Sequence, residues 1–342
     1  MPVDYLIYEL LMKVLKTIDL FAGIGGIRLG FQELGCENVF TSEWDKDAQK
    51  VYEANFHEKP FGDITLINPL EIPDHDILLA GFPCQPFSIL GAKQGFADTR
   101  GTLFFNIEEI LRVKQPTAFL LENVKQLKTH DRGNTLKIIL EKLQELGYFV
   151  HYKILNALDF GLPQKRERII IVGFKENLQF DFPKPLNFYQ PLATILEQDL
   201  EIDQKLFASQ KIVEKRRERL KSVPFFPSIW HENKAGNISV LPFSCALRAG
   251  GSYNYLLVNG DRRLSTREML RLQGFPEDFK INVSYTAMRK LTGNSVAVPV
   301  IKAVAKEMVQ SLHNQKMAQS NEQMLLLKLS YYEYSRSQAI LR

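Results

Sequence analysis

The sequence predicts an α/β fold: a doubly wound, mostly parallel sheet with a smaller irregular domain attached. Three observations predict it. Short apolar runs alternate with helix-length stretches from Lys13 to about Phe174. The residues able to do chemistry stand where apolar runs end, as in open parallel sheets. The rhythm then breaks around Asp181–Pro191, where Pro183, Pro185 and Pro191 read as a boundary or hinge.

Val14–Phe21 reads as a strand, Gly23–Gly26 as a turn and Ile27–Leu34 as the opening of a helix. A strand at Asn38–Glu43 and a helix over about 46–55 follow. Asp76–Gly81 is a third strand, Leu103–Val113 a helix, Ala118–Leu121 a strand and Thr135–Leu146 a helix. Tyr152–Leu155 and Arg168–Phe174 complete the strands. Residues 186–265 lack a clear period and carry the loop-like Ala249-Gly250-Gly251-Ser252. Helical patterns return at Thr266–Leu272 and over about Val298–Leu312. The expected division is 1–185, 186–265, 266–312 and a C-terminal extension 313–342.

In 342 residues, 45% are hydrophobic and 24% charged, which excludes a disordered chain. A formal net charge of +4 permits a polyanionic partner only through a local patch. Cys36, Cys84 and Cys245 have no paired spacing, and the six histidines show no ligand pattern. No metal is therefore expected, and a reducing, cytoplasmic setting is. Glu9 and Lys13 interrupt the apolar run Tyr5–Leu15, so it does not read as a signal peptide, and residues 1–11 read as an upstream extension. No segment reaches the ~20 apolar residues that span a bilayer.

Phe21-Ala22-Gly23-Ile24-Gly25-Gly26 lies between a strand and a helix, where glycines let a ligand approach backbone at a helix N-terminus. Such loops also serve simply as tight turns. The spacing is not the G-x-G-x-x-G of dinucleotide binders. The second strand ends in Glu43-Trp44-Asp45, a carboxylate suited to ribose hydroxyls beside an indole suited to adenine. Asp63, before Ile64, is either an adenine ligand or a turn aspartate. The third strand runs into Phe82-Pro83-Cys84-Gln85-Pro86-Phe87-Ser88. A thiol held between two prolines at the carboxyl end of a parallel strand is oriented for reaction, whereas Cys36 and Cys245 read as structural. Ala118–Leu121 delivers Glu122-Asn123-Val124, and a carboxylate after four apolar residues is costly to bury without a partner. In Gln164-Lys165-Arg166-Glu167-Arg168 an extended backbone puts Arg166 and Arg168 on one face.

These motifs, with Arg267–Asp278 and Gly293–Pro299, occur in an order that resembles the cytosine-5 DNA methyltransferases, especially the small bacterial restriction–modification enzymes of the HhaI type. The resemblance covers about residues 13–180 and 261–312. It implies the class I methyltransferase fold, S-adenosylmethionine as cofactor and duplex DNA as partner. It further implies Cys84 as nucleophile at cytosine C6, Glu122 acting at N3, and Arg166 and Arg168 holding the base and orienting Glu122. Phe21, Ala22, Gly23, Gly25, Gly26, Glu43, Trp44, Asp63, Ile64, Pro83, Leu103, Asn294 and Ser295 would line the cofactor pocket. Phe87–Thr102, with Ser88, Lys93 and Arg100, would close over flipped-out DNA.

Residues 186–265 occupy the family's target-recognition position. Arg248, Gly250 and Gly251 are its candidates for DNA contact, while the mixed run Lys211–Lys221 reads as a solvated helix face. The family's Thr-Leu pair is replaced here by Ala246-Leu247, removing one anchoring hydroxyl. Arg262, Arg263, Arg267 and Arg271 are expected to brace the domain junction rather than read bases. The resemblance also implies a monomer acting alongside a cognate endonuclease without a stable complex. A tRNA methyltransferase and a silent DNA-binding protein are the competing readings.

Overall fold

Strands buried on both faces read as unbroken apolar runs. In the computed structural model, which describes residues 14–83, 103–221 and 223–318, such runs form a six-stranded sheet. They are β1 (Lys16–Leu20), β2 (Glu37–Ser42), β3 (Ile77–Gly81), β4 (Ala118–Val124), β5 (Phe149–Asn156) and β7 (Glu167–Phe174), in the order β2-β1-β3-β4-β7-β5. β2, β1, β3 and β4 are mutually parallel; β7 runs antiparallel to both β4 and β5. The sheet is thus mixed, with parallel strands in the majority.

Alternation along each strand separates two cores. Ile77, Leu79, Leu120 and Val172 pack with Ile27 and Phe31 of α1 (Gly26–Gln32) and with Ile301, Val304 and Met308 of the helix 298–318, here α8. Ile18, Leu78, Leu121 and Ile171 turn the other way, onto Phe104 and Ile107 of α3 (Leu103–Lys114) and Ile139 and Leu143 of α4 (Asn134–Glu145). The last helix therefore completes the first layer of the sheet, far from it in sequence. α2 (Lys46–Phe56) starts at Asp45, whose carboxylate accepts from the backbone of Asp47 and Ala48 at 2.9 and 3.2 Å.

A second, three-stranded antiparallel sheet orders β11 (Leu256–Val258), β8 (Ile229–Glu232) and β9 (Ile238–Leu241), with Trp230 fully buried. Nearby α5 (Gln210–Arg217) is the helix expected in the mixed-charge run. Its Arg216 is not solvated but buried, 2.8 Å from Glu232. The short β6 (Gln164–Lys165) and β10 (Ser244–Cys245) pair in parallel and join the two halves.

The junction is built from buried polar side chains. Gln164 donates to Leu272 O at 2.7 Å and accepts from Leu247 N at 3.1 Å. α6 (Thr266–Gln273) opens with a capping box between Ser265 and Glu268, and α7 (Tyr285–Asn294) follows. Two of the four expected bracing arginines do brace. Arg262 pairs with Glu268 and Asp199, and Arg271 donates to Ile195 O at 3.2 Å. Arg267 bonds within its own segment instead, donating to Phe279 O at 2.8 Å. Nor does Arg263 brace; its guanidinium makes no hydrogen bond or ion pair among the described residues. Among the described residues no helix is long and apolar enough to cross a membrane.

Candidate active site

The carboxyl ends of β1 to β4 and the amino end of antiparallel β7 share one edge of the sheet. Loops leaving that edge carry most of the residues singled out in the sequence.

After β1, Phe21 and Gly23 both take positive φ, 55° and 56°. A methyl built on Gly23 would meet no atom of the described residues within 4 Å, so this backbone faces open space among them. Gly25 and Gly26 answer to packing instead. A methyl on Gly25 would lie 2.2 Å from the Phe56 ring, and one on Gly26 would lie 2.8 Å from Val296 and 3.0 Å from Ser295 Oγ. Those two glycines bring α2 and the 293–296 turn against the loop. Ala22 is buried, and Ser295 is buried beside an exposed Asn294.

At the end of β2 the Glu43 carboxylate accepts from Gly23 N and Asp45 N, each at 2.7 Å. Burial raises its pKa, against the pull of those amides. Trp44 projects into solvent, 74% exposed. Asp45 reaches across to Lys290 of α7 at 2.6 Å. Asp63 fits the turn reading: one carboxylate oxygen caps Thr65 N at 2.9 Å. The Ile64 side chain is buried in the core. Leu103 is half-buried against the same core, and Pro83 is exposed.

Sequence reasoning missed Asp19. It is fully buried on β1, two residues before the loop, and neither carboxylate oxygen has a hydrogen-bond partner among the described residues. Burial pushes its pKa up to about 8, with Arg28 opposing. The signal was an acid between Ile18 and Leu20 in a strand predicted to be buried.

Glu122 stands at the end of β4, opposite Gly81 in the parallel register and 3.7 Å from a methyl built there. Arg168 Nε lies 2.8 Å from Glu122 Oε1, close but misaligned as a hydrogen bond. Burial raises the Glu122 pKa, and Arg168 and Arg166 pull it back. Glu122 is thereby a carboxyl that holds its proton more readily than usual, beside a fixed cation. The neighbouring Asn123 donates to Phe82 O at 2.9 Å and holds the segment leaving β3. That segment continues into Cys84, which lies outside the described residues together with Ser88, Lys93 and Arg100. Cys36 and Cys245 are poor nucleophiles: burial pushes the first thiol up to about 11 and raises the second.

Arg166 does not touch Glu122. Its guanidinium is buried and donates to Leu247 O at 3.1 Å, Gly293 O at 3.2 Å and Ser295 O. It ties the recognition segment and the 293–295 turn to the sheet edge. Desolvation lowers its pKa to about 9, offset by Glu122. Arg248 is exposed, with its guanidinium 4.4 Å above the Tyr255 ring. Gly250 faces open space, whereas Gly251 packs on Tyr255.

The pattern of the C-5 cytosine-specific DNA methylase family matches residues 15–310. The chain is 67% identical over 291 residues to the Type II methyltransferase M.NgoBI of Neisseria gonorrhoeae, covering 85% of this chain and 92% of that one. It is 65% identical over 303 residues to M.HaeII of Haemophilus aegyptius, covering 88% and 95%. A Spodoptera frugiperda DNMT2 variant superposes with a TM-score of 0.68 over 86% of this chain and 99% of that chain, at 22% identity, a likeness of fold.

Proposed function

The chain belongs to the C-5 cytosine-specific DNA methylases, and from that premise we propose how its residues divide the transfer of a methyl group from S-adenosylmethionine to C5 of cytosine in duplex DNA. The observation that carries the proposal is Glu122 beside Arg168, opposite Gly81 in register and so at the end of the strand that leads to Cys84.

The loop after β1 suits the cofactor. Gly23 offers open backbone, Glu43 a buried carboxylate for two hydroxyls, Trp44 an exposed ring for stacking, and Asp19 a partnerless carboxyl for a cationic group. Bound S-adenosylmethionine supplies an electrophilic methyl on sulfur. The chain supplies the means to make C5 nucleophilic. The Cys84 thiolate forms a bond to C6 and pushes electron density toward N3 and C5. Glu122 donates its proton, or a hydrogen bond, to N3 as that density arrives. Arg168 fixes the carboxyl and remains positive throughout. C5 takes the methyl as the sulfur–methyl bond breaks, and that bond's electron pair stays on the departing sulfur. A base then removes the C5 proton, the freed pair re-forms the C5–C6 double bond and expels Cys84, and any proton lent to N3 returns to Glu122. None of these atoms is reachable in a stacked duplex, so the cytosine is flipped out.

We further propose that residues 186–265 read the target site, with Arg248, Gly250 and Gly251 at the DNA. The enzyme would act as a cytoplasmic monomer, paired with an endonuclease cutting the same site. Membership of a DNA methylase family sets aside tRNA as acceptor. The test is transfer of labelled methyl to unmethylated duplex DNA, with tRNA in parallel, followed by nucleoside analysis. Label as 5-methylcytosine in DNA alone is expected; label confined to tRNA, or absent from both, would overturn the reading.

A further inference from the structure

Three arginines beside the junction have no carboxylate within ion-pairing distance among the described residues: Arg248, Arg263 and Arg289. They surround one small cavity of about 20 Å³, together with Tyr253, Tyr255 and Tyr285. Guanidinium groups and phenol rings line it, and it is partly open to solvent.

The arginines are held by aromatic rings instead of acids. Arg289 and Arg263 lie 4.5 and 5.5 Å from the centre of the same Tyr253 ring, and Arg248 lies 4.4 Å from that of Tyr255. Tyr253 is fixed in turn by a 2.9 Å hydrogen bond between its hydroxyl and Thr286 Oγ1. Arg289 donates to Ser252 O at 2.9 Å and to Gly251 O, which pins the glycine turn. Among the described residues Arg263 has neither acid nor hydrogen-bond acceptor, and its Nε is buried. A buried guanidinium donor without a partner is costly unless a ligand meets it.

Location adds a second argument. The turn that carries Arg248 packs on Gly293, where a methyl would lie 2.3 Å from Ala249 N. Arg166 ties Leu247, Gly293 and Ser295 to the edge that holds Glu122. The cavity is therefore fixed rigidly relative to the reacting centre.

We propose that this cavity is a phosphate site for the DNA backbone. One phosphodiester oxygen is received by Arg263, with Arg289 and Arg248 supplying further positive charge, so that the recognition segment is set in register with the flipped cytosine. The site rests on the DNA reading above. It replaces in kind the anchoring hydroxyl missing at Ala246: a phosphate grip from Arg263, reached from a different element. A phosphate contact positions the protein and carries no sequence information, which sets it apart from base readout.

The test is Arg263→Gln in the full chain, with Arg263→Lys as the charge-preserving control. Both are first checked for an unchanged melting temperature and unchanged binding of S-adenosylhomocysteine. Duplex affinity should fall about tenfold in Arg263→Gln, the loss of one charge-assisted hydrogen bond. The fall should be equal for target and non-target duplexes, and the slope of log affinity against log salt should shrink by about 1. Arg263→Lys should recover most of the slope. Replacing phosphates singly by neutral methylphosphonates should reveal one linkage that weakens the wild type and leaves Arg263→Gln unaffected. An unchanged salt slope, a loss confined to the target sequence, or no such linkage would each overturn the proposal. A wild type that fails to bind duplex DNA at all would instead overturn the DNA reading.

Discussion

The sheet edge and the recognition-side cavity treat charge in opposite ways. At the sheet edge the cation already has an acid beside it: Arg168 lies 2.8 Å from the buried Glu122, which keeps its proton more readily than a free carboxyl. At the cavity Arg248, Arg263 and Arg289 rest on tyrosine rings, with no acid in ion-pairing reach among the described residues. The difference fits the two ligands. A flipped cytosine is neutral and gains charge only during reaction, so its site holds a proton in reserve. A phosphodiester is charged throughout, so its site keeps cations in reserve. A buried pair acts through chemistry, and loosely held cations act through affinity. Substitutions at the edge should therefore move kcat, and substitutions at the cavity should move DNA affinity.

The largest effect belongs to the nucleophile. Cys84→Ala should lower kcat on the order of 10⁴-fold or more, in line with loss of a covalent catalyst. Cofactor affinity should be retained, as equilibrium binding would check. A kcat within tenfold of wild type would remove the covalent step from the reading.

Next is Glu122. Glu122→Gln should lower kcat by ~10²- to 10⁴-fold with duplex affinity nearly unchanged. Because burial raises its pKa, the acid form survives to higher pH than for a free carboxyl. Wild-type kcat should decline as pH rises through that value, and the residual rate of Glu122→Gln should lack this limb. In Arg168→Ala a charge that lowers the Glu122 pKa is lost, so the same limb should move to higher pH. A limb unmoved by both substitutions would break the contrast between the two regions.

Much of the edge was legible because parallel strands buried on both faces must be continuously apolar. A motif that follows such a run is then placed at a strand end without further information. β1, β3 and β4, and with them the loop after Leu20 and Glu122, follow from that rule alone. The second sheet was not legible. β8, β9 and β11 span only three or four residues each, too short for a period of two to stand out from loop. The cavity was hidden for another reason. Tyr253, Arg263 and Arg289 come from three separate segments, and no local spacing announces a cluster made by tertiary contact. Asp19 was legible in principle, since an acid inside a buried strand needs an explanation. The residue types were readable, but the partners each one lacked were not.

A smaller effect separates glycines that serve a ligand from those that serve packing. Gly23→Ala places a methyl in open space at a φ of 56°, costing ~1–2 kcal/mol of backbone strain. Beyond that, it should weaken S-adenosylmethionine binding about tenfold, because a ligand, and no protein atom, would meet the methyl. Gly25→Ala should lose more stability, since Phe56 must move aside from 2.2 Å. Thermal unfolding with and without cofactor distinguishes the two. Gly23→Ala should show the smaller drop in melting temperature and the weaker rescue by cofactor. Equal rescue of both would detach the loop from the cofactor.

The last test concerns Asp19. Its folded pKa of about 8 lies above the ordinary 3.8, so the folded chain binds a proton that the unfolded chain releases. Stability from this group is full below about 4 and is lost as pH rises toward 8, by at most about 1.4 kcal/mol per pH unit. Melting temperature of the cofactor-free protein should therefore fall between pH 5 and pH 8. Asp19→Asn keeps the shape and cannot ionise, so its melting temperature should vary less over the same range. If a cationic group of the cofactor is what Asp19 awaits, adding cofactor at pH 8 should stabilise the wild type more than Asp19→Asn. Equal stabilisation would leave Asp19 as a buried acid of the fold, and the sheet edge would then hold one reserved proton, on Glu122, rather than two.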